Sequence, residues 1–242
     1  MNRTPSFRYA RRSVAVASLA LVGVLSLSGC SQVVDAFNQI GGSSTEANAA
    51  ATVSTPAPSP SASMTFNSQF TYDGSVSLST DVANDLTLTL DVWAANPKRT
   101  REWWPTNDKT FGFALNVHDN LVDEKSVLTE KRRVYISSIS ITSQTAQTSG
   151  QVQSPFQFSA DPRTLVPSDT LRSSRGLLLN SFQGGLYVPE TTIHQLPEDT
   201  YGLTLEFAIE ISVEGTADDD SSFTQQTVYQ YLPIAIFPDG TE

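Results

Sequence analysis

Between Leu203 and Val213 every second residue is apolar: Leu203, Leu205, Phe207, Ile209, Ile211 and Val213 alternate with Thr204, Glu206, Ala208, Glu210 and Ser212. A period of two with one apolar face is the signature of a half-buried antiparallel strand; a helix repeats at 3.6 residues and cannot present it. The same alternation recurs at Leu86, Leu88, Leu90 and Val92, and at Phe111, Phe113, Leu115 and Val117. Val134 and Ile136 share one phase while Ile139 and Ile141 take the other, so a bulge at Ser137-Ser138 is expected to restore the face. A last strand, about residues 224 to 237, contains Pro233. Proline has no N–H for a ladder, which places that end at a sheet edge. After residue 64 no long helical stripe occurs, and residues 169 to 180 are the best candidate for a short helix. Several alternating segments separated by turns predict a mainly β fold, a two-sheet antiparallel sandwich.

Upstream of residue 64 the composition changes. Residues 41 to 63 read GGSSTEANAAATVSTPAPSPSAS, almost wholly Gly, Ser, Thr, Ala, Asn and Pro. Such a segment buries too little apolar surface to offset its ordering entropy, so it is expected to be a disordered linker, stiffened at its end by Pro56, Pro58 and Pro60. From residue 31 to 63 it has a reach of about 30 Å r.m.s. and roughly 110 Å at full stretch. Val33, Phe37 and Ile40 sit at helical spacing just before it, over too short a run to hold a helix alone.

Residues 1 to 29 have the layout of an export signal. Arg3, Arg8, Arg11 and Arg12 carry positive charge without acids, and residues 14 to 27 are nearly all apolar or small. As a helix those residues rise about 21 Å, short of the roughly 30 Å hydrocarbon core, which argues against a permanent span. Arg11-Arg12 fits the general secretory route better than a twin-arginine signal, because Ser13-Val14-Ala15 lacks the large apolar residues that follow the latter. Leu27-Ser28-Gly29-Cys30 ends the stretch, and Cys30 is the only cysteine among 242 residues. This run resembles the lipobox of bacterial lipoproteins. The resemblance covers residues 1 to 30 and implies a diacylglyceryl group on the Cys30 thiol, with cleavage before it. Two acyl chains, at about 0.8 kcal/mol per buried methylene, anchor where one binds only reversibly. The alternative is an ordinary secreted protein with a cysteine at that position. The expected organisation is therefore a signal peptide at 1–29, a lipidated N-terminus and Ser/Ala/Pro-rich linker at 30–63, and a sandwich domain at 64–242, facing outside the cytoplasm on the cell membrane.

After loss of residues 1–29 the chain carries 11 bases against 25 acids. That charge opposes binding to nucleic acid, whose phosphates reward Lys and Arg. Eight of those bases lie between Lys98 and Arg133, and none follows Arg175. Lys131-Arg132-Arg133 reads as a solvated approach to the Val134 strand, at the opposite end from the tryptophans.

Leu196-Pro197-Glu198-Asp199-Thr200-Tyr201 leads directly into the cleanest strand and resembles the tyrosine corner of immunoglobulin-like sandwiches, where a Tyr hydroxyl bonds back to upstream backbone. The resemblance implies that the Leu86, Phe111, Leu203 and final strands are B, C, F and G. The loop at 95–108, with Arg99, Arg101, Trp103 and Trp104, would then face the acidic loop holding Asp218, Asp219 and Asp220. Adjacent tryptophans flanked by arginine form a candidate ligand-binding surface for a protein or a glycan. A structural role for the same residues, with core-capping rings and paired loops, is the competing reading. The three aspartates are oxygen donors of the kind calcium takes, yet they lack the alternating spacing of an EF-hand, so a solvated turn is the expectation and no metal is assigned.

The sequence contains no G-x-S-x-G elbow, S-x-x-K pair, H-E-x-x-H or P-loop, and no cofactor motif. His118 falls on the polar face of its strand and His194 in a loop. The expected role is a non-catalytic binding or accessory domain at the cell envelope. The alternative is a carboxylate-dependent hydrolase such as a glycosidase, which needs two acids across a cleft.

Overall fold

A computed structural model describes residues 66–182 and 184–240. The expectations for the signal peptide, Cys30 and the linker fall outside them. Along the chain a five-residue helix, α1 (Gln69–Asp73), precedes ten strands: β1 (Ser75–Ala83), β2 (Leu86–Ala94), β3 (Lys109–Asp119), β4 (Val134–Gln147), β5 (Gln157–Ala160), β6 (Arg172–Ser173), β7 (Gly176–Leu178), β8 (Leu186–Ile193), β9 (Thr200–Glu214) and β10 (Phe223–Ala235). One sheet has the order β1-β2-β3-β8; the other runs β10-β9-β4-β7-β6, with β5 also paired to β4. Every pairing is antiparallel. The fold is the expected two-sheet sandwich.

The alternating residues supply its interior. Leu88, Leu90, Phe113 and Leu115 from one sheet meet Ile139, Ile141, Leu205, Phe207 and Ile209 from the other, all buried. The Phe113 ring stands edge-on to Phe207 at 5.8 Å and to Phe158 at 5.9 Å, a geometry that aligns ring edges with ring faces. The β4 register slips between Ile136 and Ser138, at the bulge the phase change requires. Pro233 lies on the edge strand β10, where its carbonyl accepts the Ser68 hydroxyl at 2.8 Å and its missing N–H interrupts no ladder.

The Leu86, Phe111, Leu203 and final strands are β2, β3, β9 and β10, with β2 and β3 paired in one sheet and β9 and β10 in the other. This corrects the expected labels. The Leu86 and Phe111 strands are direct neighbours in one sheet across Leu90↔Leu115, whereas B and C of an immunoglobulin sandwich lie in opposite sheets, so the expected B and C labels do not hold. The 95–108 loop therefore joins two strands of one sheet and lies at the opposite end from the acidic 215–222 loop. Tyr201 lies at the start of β9, but its ring stands edge-on to Phe66 at 6.2 Å, and among the described residues its hydroxyl makes no hydrogen bond. The corner is closed instead by Thr200 N–H donating to the Pro197 carbonyl at 3.0 Å. The expected helix at 169–180 is a small hairpin, β6–β7. Gly176 turns it at φ +133°, with its Cα so near the Ile136 carbonyl that a Cβ would lie 2.0 Å from that oxygen, and Leu177, Leu178 and Leu179 go into the interior.

Candidate functional site

At the end where β2 passes to β3, residues Pro97–Glu102 form a tight helical turn and deliver the two tryptophans inward. Trp103 is 6% exposed and packs on Phe70 with ring centroids 5.4 Å apart. Its carbonyl accepts the Phe237 N–H at 3.1 Å. Trp104 is half-buried, and among the described residues its Nε1 has no hydrogen-bond partner. Arg99 forms a bidentate pair with Glu102 on its own turn, and Arg101 stands exposed. The structure thus separates the four residues: Trp103 belongs to the core and Arg99 to a local ion pair.

Beside them Lys109 is fully buried. Its Nζ donates to the carbonyls of Asn107 at 2.6 Å, Pro105 at 3.4 Å and His194 at 3.4 Å, tying two loops to the start of β3. Burial pushes its ammonium down to about 8, against the opposing pull of Asp108 and Asp239. His194 Nδ1 lies 2.9 Å from Asp108 Oδ1 in an exposed pair.

At the other end the basic run is not solvated: Lys131 and Arg132 are each 8% exposed. Arg132 Nη2 and Nε bind Asp119 at 2.5 and 3.0 Å, and Asp119 also accepts the Arg132 and Leu121 amides. Burial drives the Asp119 carboxyl up, but the Arg132 hydrogen bonds outweigh it and hold the group below its ordinary range. Arg133 clamps the fully buried Glu214 and reaches Asp220 at 2.9 Å. Arg175 donates to the Asp220 carbonyl and lies 4.3 Å over the Phe223 ring. The acidic loop is thus met by the strand-leading arginines rather than by the tryptophan loop. Within the triplet, Asp219 Oδ1 caps the Ser221 N–H and Asp220 pairs with Arg133, while the Asp218 backbone takes φ +61°. Among the described residues no cluster of three or more His, Cys, Asp or Glu side chains is placed to hold a metal.

A cavity of about 280 Å³ opens beside this network, lined in part by Asn116, His118, Asp119, Glu124, Lys131 and the exposed ring of Phe182. It brings two carboxylates into one recess, but Asp119 is spent on Arg132. A general acid needs a raised pKa and a free proton-bearing oxygen, and Asp119 has neither.

The two outward sheet faces differ. On the β1-β2-β3-β8 face side chains bond to one another: Ser77 to Asp91, Thr87 to Asp81 at 3.0 Å, Ser79 with Thr89 at 3.3 Å and Thr110 with Thr192 at 3.1 Å. There Trp93 lies across Gly112, where a Cβ would come within 2.6 Å of the indole, and stacks with Tyr187 at 5.5 Å. The indole covers the bare glycine backbone. On the β10-β9-β4-β5 face Tyr229 and Tyr231 point outward at 54% and 55% exposure. Their rows are Tyr229-Ala208-Ser140-Ser159 and Tyr231-Glu206-Thr142-Gln157. Among the described residues none of these eight side chains makes a hydrogen bond or ion pair. Sequence reasoning passed over this face, although the inward phase of Val228, Leu232 and Ile234 already turns both tyrosines out.

No protein-family model matches the chain, and no curated protein matches it.

Proposed function

We propose that this chain is a lipid-anchored envelope protein, held outside the cytoplasm, whose sandwich is a non-catalytic binding or accessory domain. One observation carries the reading. The single cysteine closes Leu27-Ser28-Gly29-Cys30 at the end of a basic-then-apolar leader, where a thioether-linked diacylglyceryl group would leave all that follows exposed beyond the membrane. The non-catalytic half is supported by the engagement of the buried carboxylates: Asp119 and Glu214 are both held by arginines and both sit below their ordinary pKa. A carboxylate-dependent hydrolase is favoured only by Asp119 and Glu124 sharing one cavity.

Metabolic labelling with an alkyne fatty acid, followed by mass spectrometry of the mature N-terminus, tests the anchor. Wild type is expected to carry label on Cys30 and to sediment with membranes, and Cys30→Ser to carry none. An unmodified Cys30 thiol in the wild-type protein overturns the anchor.

A further inference from the structure

We infer that the outward face of β10-β9-β4-β5 is a binding platform for a neutral, hydroxyl-rich glycan. The argument begins with unspent hydrogen-bonding capacity. Side chains on the opposite face satisfy one another, whereas here Ser140, Thr142 and Glu206 lie in register beneath two tyrosines and bond to nothing among the described residues. Glu206 is an acceptor for hydroxyl protons; the Ser and Thr hydroxyls donate or accept. Tyr229 and Tyr231, two residues apart on one strand, add ring faces at a fixed spacing of about 7 Å. Ala208, directly beside Tyr229, leaves the floor low next to that ring.

The chemistry of the rows narrows the occupant. Between Thr227 and Pro233 no outward residue of these strands is Lys or Arg, so a phosphate- or uronate-bearing polymer finds no counter-charge and meets the Glu206 carboxylate instead. A protein partner needs a desolvated apolar centre, and beyond the two rings the central rows offer only Ala208. A neutral sugar ring combines an apolar C–H face for the tyrosines with hydroxyls for the polar floor. The groups sit on strands and not on loops, so little ordering cost remains at binding.

This inference rests on the reading of the sandwich as a binding module and is independent of the lipid anchor. Affinity electrophoresis of the full chain in detergent tests it, in native gels containing starch, mixed-linkage β-glucan, mannan or galactan, with polygalacturonate and poly-L-lysine as further arms. Retardation by at least one neutral polysaccharide is expected, with about tenfold or greater weakening in Tyr229→Ala/Tyr231→Ala and none in Tyr187→Ala. Tyr229 and Tyr231 are exposed and make no ring contact among the described residues, so the double variant is expected to melt as wild type does. No retardation by any neutral polysaccharide, equal retardation of wild type and the double variant, or a shift by polygalacturonate or poly-L-lysine alone overturns the platform. Release of reducing ends from the gel polysaccharide would instead overturn the non-catalytic reading, and retardation of a protein whose Cys30 thiol is unmodified would overturn the anchor while supporting the platform.

Discussion

Lys109 is a cation enclosed by carbonyls, with no carboxylate among the described residues in hydrogen-bond contact. Its depressed pKa of about 8 makes it a titratable weight on stability. Below pH 8 both folded and unfolded chains hold the proton, and the group has no pH-dependent effect. Between pH 8 and the ordinary lysine value of about 10.4 the folded chain releases it first, so stability rises with pH across that window. Urea denaturation of wild type and Lys109→Met at pH 7 and pH 10 reads this directly. Whatever their offset at pH 7, wild type is expected to gain on the variant at pH 10; a constant offset would mean that the ammonium titrates normally. The same residue shows what the sequence hides. Nothing in the run Asn107-Asp108-Lys109-Thr110 distinguishes a buried ammonium from a solvated one, because the three carbonyls that hold it come from a loop fold that no local pattern encodes. Trp103 is the parallel case: an aromatic beside charged loop residues reads as exposed, and its burial depends on Phe70, 33 positions upstream.

Strands were legible because their physics is local. Alternation in β2, β3 and β9, the bulge in β4 and the edge proline in β10 each follow from side-chain phase or a missing N–H. Strand order was not legible, since β1 carries only half-buried apolar residues, Val76, Leu78 and Val82, in a Ser-rich run whose composition resembles that of residues 41–63. Because β2 and β3 pair within one sheet instead of crossing between sheets, the tryptophan loop lies at the other end from the one expected, while β9 and β10 stay paired as expected. The connection that matters between β9 and β10 is the Arg133 clamp. Burial pushes the Glu214 carboxyl up, and the Arg133 hydrogen bonds more than offset this, leaving it below its ordinary value. A carboxyl depressed on folding stabilises above its unfolded pKa, and that contribution is lost as pH falls through the folded value. Glu214→Gln leaves Arg133 with the exposed Asp220 as its remaining carboxylate partner among the described residues and is expected to cost about 3 kcal/mol at pH 7. The gap should narrow as pH is lowered from 7 toward about 3. Guanidinium denaturation over that range, with proteolysis of the 215–222 loop as a local readout, checks both; a variant as stable as wild type at pH 7 would show that the clamp is spent on geometry alone.

At the scale of the whole molecule the sandwich has one seam where its edges, β1 and β10, belong to different sheets and cannot pair through their backbones in a single ladder. Side chains bridge it: Gln226 Nε2 donates to the Val82 carbonyl at 2.8 Å, and Gln230 bonds Thr80. The segment before β1 closes the rest. Ser68 caps α1 through Thr71 N–H at 3.1 Å and also holds the Pro233 carbonyl, while Thr71 Oγ1 accepts the Ala235 N–H at 3.0 Å. Phe70, 1% exposed, then drives the plug against Trp103. Ser68, Phe70 and Thr71, ahead of β1, are therefore part of the core. Phe70→Ala is expected to destabilise by about 3–5 kcal/mol, the cost of an aromatic-sized cavity. Tyr72→Ala, on the same short helix but with its ring in solvent, should stay within about 0.5 kcal/mol of wild type. Equilibrium urea unfolding followed by far-UV circular dichroism distinguishes them. If both substitutions cost the same, α1 contributes by its backbone and caps, and the seam is held by the Ser68 and Thr71 hydrogen bonds rather than by the phenyl ring.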